Sequence, residues 1–159
     1  LLRTVAGIFG GVSRDITRPG ATTPRLVGNV LVADDNQTIQ KVIVLILRKL
    51  GCVVHVAHDG REAVEMATKN SFDAILMDCE MPIMDGFEAT AQIRKIETAR
   101  VPIIALTAHA IEGARDRCIA AGMDDYISKQ VDGEILAGKL KDWFGQRSST
   151  SENGPRVMA

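Results

Sequence analysis

Asp34, Asp35, Asp78, Thr107 and Lys129 are the residues whose types and spacing could do chemistry as a group. Asp78 lies 43 residues after Asp35, Thr107 follows 29 later and Lys129 another 22. Three carboxylates brought together cannot all stay charged unaided, because two unit charges about 4 Å apart repel by about 4 kcal/mol at an effective dielectric near 20. A cation must join them. Hard carboxylate oxygens suit Mg²⁺, which keeps several waters and is usually held by one or two carboxylates plus phosphate oxygens. Lys129 adds a mobile ammonium and Thr107 a hydroxyl donor. This is the set that phosphoryl transfer to a carboxylate requires, with rate coming from in-line positioning and from neutralised charge on the equatorial oxygens while a carboxylate of Asp78 attacks.

These side chains meet only if separate elements deliver them to one edge. Short apolar runs at 29–33, 53–57, 74–77, 103–106 and 126–128 alternate with segments of helical period, which predicts five strand-helix units. Several runs are near-continuous aliphatic stretches, as in strands buried on both faces of a parallel sheet. The helical faces are read as Ile39, Val42, Ile43, Ile46 and Leu50; Ala63, Val64 and Ala67; Phe87, Thr90 and Ile93; and Ile135, Leu136, Lys139, Leu140 and Trp143. Asn36 or Gln37 marks the start of the first helix and Gly51 its end. In an open parallel α/β sheet the loops after the carboxyl ends of the strands hold the functional residues, and all five chemical positions fall there.

At 159 residues the chain has room for one domain plus tails. An apolar fraction of 46% and a formal net charge of −1 are those of a soluble globular protein with no global pull toward nucleic acid or membrane. The longest apolar stretch, Val42 to Leu47, is far short of the roughly 20 residues of a membrane span. Cys52, Cys79 and Cys118 form no CxxC pair and read as buried thiols of a reducing cytosol. Residues 1–27 and 146–159, rich in Gly, Pro, Ser and Thr, read as a linker and a tail around a domain at 28–145. The first residue is not Met and no signal peptide is evident, so the chain reads as a fragment of something longer.

The stretches Val30-Leu31-Val32-Ala33-Asp34-Asp35-Asn36, Ile75 through Asp78-Cys79-Glu80-Met81-Pro82 to Asp85-Gly86, Pro102 through Thr107-Ala108, and Asp125-Tyr126-Ile127-Ser128-Lys129 resemble the receiver domains of response regulators and hybrid sensor histidine kinases. The resemblance implies a doubly wound, flavodoxin-like five-stranded parallel sheet of order 2-1-3-4-5 with helices on both faces. It also implies that Asp78 is the phosphoacceptor, and that Asp35, Asp78 and the backbone carbonyl of Glu80 bind Mg²⁺ (or Mn²⁺), with Asp34 acting mostly through a metal-bound water. Thr107 and Lys129 would contact the phosphoryl group, Tyr126 would be the switch aromatic that follows Thr107, and Glu80 and His109 would occupy the variable flanking positions. A histidine kinase or histidine phosphotransfer domain would be the partner. Nucleic acid and membrane are not expected to bind this segment, and the resemblance leaves room for a weak homodimer. It places the chain in the cytoplasm, within a parent anchored in the membrane or not, and implies catalysis only of its own aspartyl phosphorylation and dephosphorylation. A hybrid histidine kinase is the expected parent, and a single-domain response regulator the alternative.

One position departs from the pattern, since Gln130 stands where receivers usually carry a proline after a cis bond. A cis bond before a non-proline residue costs about 2.5–4 kcal/mol, which weighs toward a trans bond and a differently shaped loop, and the sequence leaves the conformation of the Lys129–Gln130 bond open. Other classes fit less well. A flavodoxin-like cofactor binder would want a Gly- or Ser/Thr-rich phosphate loop where Asp34-Asp35 presents anions. An aspartate-nucleophile phosphatase would ordinarily place a second Asp where Glu80 stands, and a pseudo-receiver would not need the full acidic set. Asp85-Gly86 reads as a turn opening the third helix, Asp124-Asp125 as a solvated turn, and His55, His58 and His109 lack metal-ligand spacing.

Overall fold

The structure, a computed structural model, describes residues 25–108 and 113–150, with side chains up to residue 146. The expected linker over 1–24, His109 and the tail beyond 150 lie outside the described residues. Strands β1 (Asn29–Ala33), β2 (Val53–Ala57), β3 (Ala74–Asp78), β4 (Ile103–Thr107) and β5 (Asp125–Ser128) alternate with helices α1 (Gln37–Leu50), α2 (Gly60–Lys69), α3 (Gly86–Ile96), α4 (Ala114–Ala121) and α5 (Gly133–Thr150). All strand pairs are parallel, in the order β2-β1-β3-β4-β5, so the expected doubly wound sheet is the one observed.

Alternation along the strands divides the core in two. Leu31, Ala33, Ile75, Met77, Ile103 and Ala105 pack with Ala63, Ile93 and Cys118 of α2, α3 and α4 on one face. Val30, Val32, Leu76, Ile104 and Leu106 pack with Ile43, Leu47, Leu136 and Leu140 of α1 and α5 on the other. Each fully buried Leu or Ile contributes about 1.5–3 kcal/mol, so the ten residues of β3 and β4, all buried, anchor the fold. All three cysteines are buried and free, as expected.

Four helices open on a side-chain cap, α5 on Asp132, whose Oδ1 accepts the Glu134 amide at 2.7 Å. Asn36 Oδ1 accepts from the amides of Thr38 and Ile39 at 3.0 and 3.3 Å, Asp59 from Glu62 and Asp85 from Glu88, each at 2.8 Å. Gly51 closes α1 at φ 98°, a left-handed conformation that glycine adopts without strain.

Four details differ from the sequence reading. The buried line of α1 is Gln40, Ile43, Leu47 and Leu50, and Val42 is 46% exposed, so the helix is turned from the expected face. Its middle is apolar all round, and periodicity alone does not fix the rotation. On α5, Ile135 stands outside the core at 56% exposure. The ends of the domain are also longer than the expected span: Leu26 is buried and its amide donates to Leu50 O at 2.7 Å, and α5 continues to Thr150. Gly145 costs a helix only about 1 kcal/mol, while each added residue gains a backbone bond, so the glycine and serines do not stop it. Finally, Asp124 is not solvated. It accepts Arg94 Nη2 at 2.6 Å, Arg100 Nη2 at 2.7 Å and the Ile103 amide at 2.8 Å, a clamp joining α3, the start of β4 and the turn before β5.

Candidate phosphoacceptor site

The last rungs of the parallel ladder aim the chain ends of β1, β3, β4 and β5 at one rim. Asp34 follows the rung Ala33–Ala57, Asp78 lies opposite Leu106, and Lys129 follows the rung Thr107–Ser128, its amide donating to Thr107 O at 2.8 Å. Asp34, Asp35 and Asp78 each bring a carboxylate oxygen within 4.8 Å of the others. Lys129 Nζ donates to Asp78 Oδ2 at 2.7 Å and stands 3.5 Å from Asp34 Oδ2. The Lys129–Gln130 bond, which the sequence left open, is trans.

Local turns hold the remaining carboxylate oxygens. Asp34 Oδ1 accepts the Asn36 amide at 2.8 Å and Asp78 Oδ1 the Glu80 amide at 3.0 Å. Asp34 and Asp78 are buried and Asp35 is exposed. Burial pushes the Asp34 and Asp78 carboxyls above their ordinary range, against the hydrogen bonds and the Lys129 charge that pull them down. Burial opposes the charge of Lys129, yet its bonds to Asp78 and Asp34 outweigh that and raise it. Asp34 Oδ2 is buried, and its contact with Lys129 Nζ is the long 3.5 Å ion pair, with no close hydrogen bond. A buried carboxylate oxygen so weakly satisfied among hard oxygen donors fits a small divalent cation.

A cavity of about 560 Å³ opens beside the cluster, lined by Asp78, Glu80, Phe87, Thr107, Arg117 and Lys129 among others. Thr107 closes β4 and is buried. The Glu80 side chain is exposed, outside the three-carboxylate cluster. Tyr126 is half-buried on β5 beside Ala105, with Lys139 Nζ 5.7 Å from its ring centroid and bonded to Asp125 at 2.7 Å. The loop after Asp78 comes so close that a Cβ on Gly86 would lie 2.0 Å from Asp78 O, so only glycine fits there. Ile83 in the same loop takes φ 73°, costly for a β-branched residue, and a three-residue turn from Pro82 O to the Met84 amide at 2.8 Å closes around it.

Two contributors escaped the sequence reading. Arg117 stacks over Phe87 at 5.1 Å, and nothing in the spacing of either residue announces the pair. Gln40 is buried and bonds the carbonyls of Asp34 and Ala57. Its signal was present in the sequence as a glutamine in register with Ile43, Leu47 and Leu50.

A carboxylate cluster with one lysine at the carboxyl rim of a 2-1-3-4-5 parallel sheet marks a class of flavodoxin-like signalling proteins that carry their chemistry on an aspartate. The response regulator receiver domain pattern matches residues 30–141, and the chain belongs to that family. It is a receiver domain of two-component phosphorelay signalling. The chain is 43% identical over 115 residues to the hybrid signal transduction histidine kinase I of Dictyostelium discoideum, covering 67% of this chain and 7% of that protein. It is 37% identical to the probable histidine kinase 6 of Oryza sativa subsp. japonica, covering 75% of this chain and 14% of the relative. The chain thus spans a small part of the relatives it matches. Among solved structures it resembles the receiver domain of a Pseudomonas aeruginosa sensor histidine kinase with a magnesium ion coordinated in the active-site cleft (45% identity, TM-score 0.71, 76% of this chain and 99% of that one). It also resembles the receiver in a co-crystal of a Saccharomyces cerevisiae histidine phosphotransfer protein with its downstream response regulator (31% identity, TM-score 0.72, 75% of this chain and 90% of that one).

Proposed function

We propose that Asp78 accepts a phosphoryl group from a phosphohistidine, and that Asp34, Asp35, Asp78 and the backbone carbonyl of Glu80 hold Mg²⁺ (or Mn²⁺) for the transfer. The observation that carries this reading is the convergence of three carboxylates within 4.8 Å of one another, with Lys129 Nζ 2.7 Å from Asp78. The bound cation supplies charge against the phosphoryl oxygens. One Asp78 oxygen forms the new P–O bond as the P–N bond of the donor imidazole breaks, leaving an acyl phosphate. Lys129 exchanges its bond to Asp78 for one to a phosphoryl oxygen, and the Thr107 hydroxyl donates to another. Movement of Thr107 toward the phosphate lets Tyr126 turn inward, remodelling the face of β4, α4 and β5.

The donor is a histidine kinase or a histidine phosphotransfer domain, a reading supported by the yeast co-crystal; the parent is a hybrid histidine kinase, a reading supported by the Dictyostelium relative, and the segment acts in the cytoplasm. No helix among the described residues is long and apolar enough to cross a membrane. Incubation with Mg²⁺ and acetyl phosphate is expected to add one phosphoryl group, seen by intact mass and released by hydroxylamine, and Asp78→Asn is expected to remain unmodified. A wild-type chain that takes no phosphoryl group at millimolar Mg²⁺, or a variant that still does, overturns the reading.

A further inference from the structure

Gln40 is a polar side chain in the buried line of α1, only 5% exposed. Its Nε2 donates to Asp34 O, stands 3.1 Å from Ala57 O and lies 3.2 Å from His58 Nδ1. An amide nitrogen has two hydrogens, so three acceptors converge on two donors. The location explains why. The β1–β2 ladder ends at the rung Ala33–Ala57, and one further bond, from the Asp34 amide to Ala57 O at 3.2 Å, carries the strand edge past it. Gln40 supplies the next cross-link from a helix side chain.

The carbonyl that Gln40 grips belongs to the peptide unit between Asp34 and Asp35. Holding that oxygen fixes the plane of the unit and with it the direction in which Asp35 leaves the backbone. Asp35 is exposed and has no packing to aim it, unlike Asp34 and Asp78, which are buried. The Asn36 cap begins the helix on the far side of the same turn, accepting the Thr38 and Ile39 amides. Asp35 thus hangs between two fixed points, one of them Gln40.

We propose that Gln40 is the positioning residue of the acidic pair: by holding the Asp34–Asp35 peptide against the end of β2, it presets Asp35 for the divalent cation. This rests on the receiver reading of the site. Partners that orient metal ligands are commonly worth about 10–100-fold in affinity, and that is the scale expected here.

The test uses the 159-residue chain and Mg²⁺ alone as the probe. Gln40→Met keeps the length and volume of the side chain and removes both donors. Its Mg²⁺ dissociation constant, followed by the shifts of backbone amides around Asp35 and Glu80, is expected to rise about 10–100-fold. Phosphorylation at saturating Mg²⁺ is expected to return to within about twofold of wild type, since only ground-state positioning of the cation is lost. A variant of wild-type Mg²⁺ affinity, or one whose phosphorylation stays depressed at saturation, overturns the proposal. Wild-type protein gives a second measurement that no misfolded variant can spoil: the Gln40 side-chain amide signals should be protected from exchange and should shift on Mg²⁺ loading, and unshifted signals likewise refute it. A wild type that binds no Mg²⁺ defeats the receiver reading as well, whereas normal wild-type binding with an indifferent variant defeats the role of Gln40 alone.

Discussion

Asp34 has no exposed surface, and burial lifts its carboxyl above the ordinary range while Asp35 adds repulsion. A carboxyl whose folded-state pKa exceeds its unfolded value binds protons more tightly when folded. Its contribution to stability is present below the unfolded value and is lost as pH rises through the folded one. At neutral pH and without divalent cation, then, the charged Asp34 works against the fold. Asp34→Asn retains an oxygen for the Asn36 amide and removes the charge, so urea unfolding at pH 7 in EDTA is expected to show a gain of about 0.5–2 kcal/mol, typical when a functional site is relaxed. The gain should shrink as pH falls into the carboxylate range, and it should invert in Mg²⁺, which stabilises only a chain able to bind it. A variant less stable than wild type in EDTA would contradict the dominance of burial over the pull of Lys129. Cys79, next to Asp78, shows the same effect in a thiol: burial, with Cys118 Sγ 3.9 Å away, pushes it up to about 12, which suits a packing group better than a nucleophile.

Among the elements, β1 and β2 follow their apolar runs residue for residue, β3 and β4 each extend one residue past theirs, and β5 begins one residue earlier. Runs of aliphatic residues between turn formers leave few alternatives for strands buried on both faces. The site was legible for the same reason, because its residues stand at strand ends and strand ends are sharply marked. Helices were less legible. The face of α1 was misplaced because Val42 to Leu47 is apolar without interruption, and the buried Gln40 makes sense only once the carbonyls of Asp34 and Ala57 are seen to lie within reach of its side-chain amide at the ladder end. The Arg94–Asp124 clamp joins residues 30 apart, a pairing no local pattern announces. Glycine constraints belong to this scale too. A Cβ on Gly86 at the start of α3 would strike Asp78 O, whereas one on Gly138 within α5 would meet nothing within 4 Å. Gly86→Ala is therefore expected to cost about 1–3 kcal/mol in urea unfolding through forced backbone shifts. Gly138→Ala should instead gain about 0.5–1 kcal/mol from helix propensity. Equal effects from the two would refute this account of the loop.

Across the whole molecule, stability is unevenly spread, and the uneven part lies where a switch would need it. Strands β3 and β4 are buried throughout, and α1 and α3 each bury four residues. Helix α4 buries only Cys118, and it begins at Gly113, at φ 100°, with no side-chain cap where α1, α2 and α3 have Asn36, Asp59 and Asp85. Described contacts to the rest include the Arg117–Phe87 stack and the Cys118–Cys79 approach. An element with so little buried apolar surface opens at a small free-energy cost, and conformational transitions draw on such elements. The same helix flanks the cavity beside Asp78, so a phosphoryl group there would lie against an element that buries a single residue. Hydrogen exchange in the metal-free chain is expected to find the α4 amides the fastest of the five helices apart from frayed ends, and loading with Mg²⁺ and beryllium fluoride should change protection in α4 and β5 more than in α1. If α4 exchanges as slowly as α1, or if loading leaves it unchanged, the signal must leave the domain by another face.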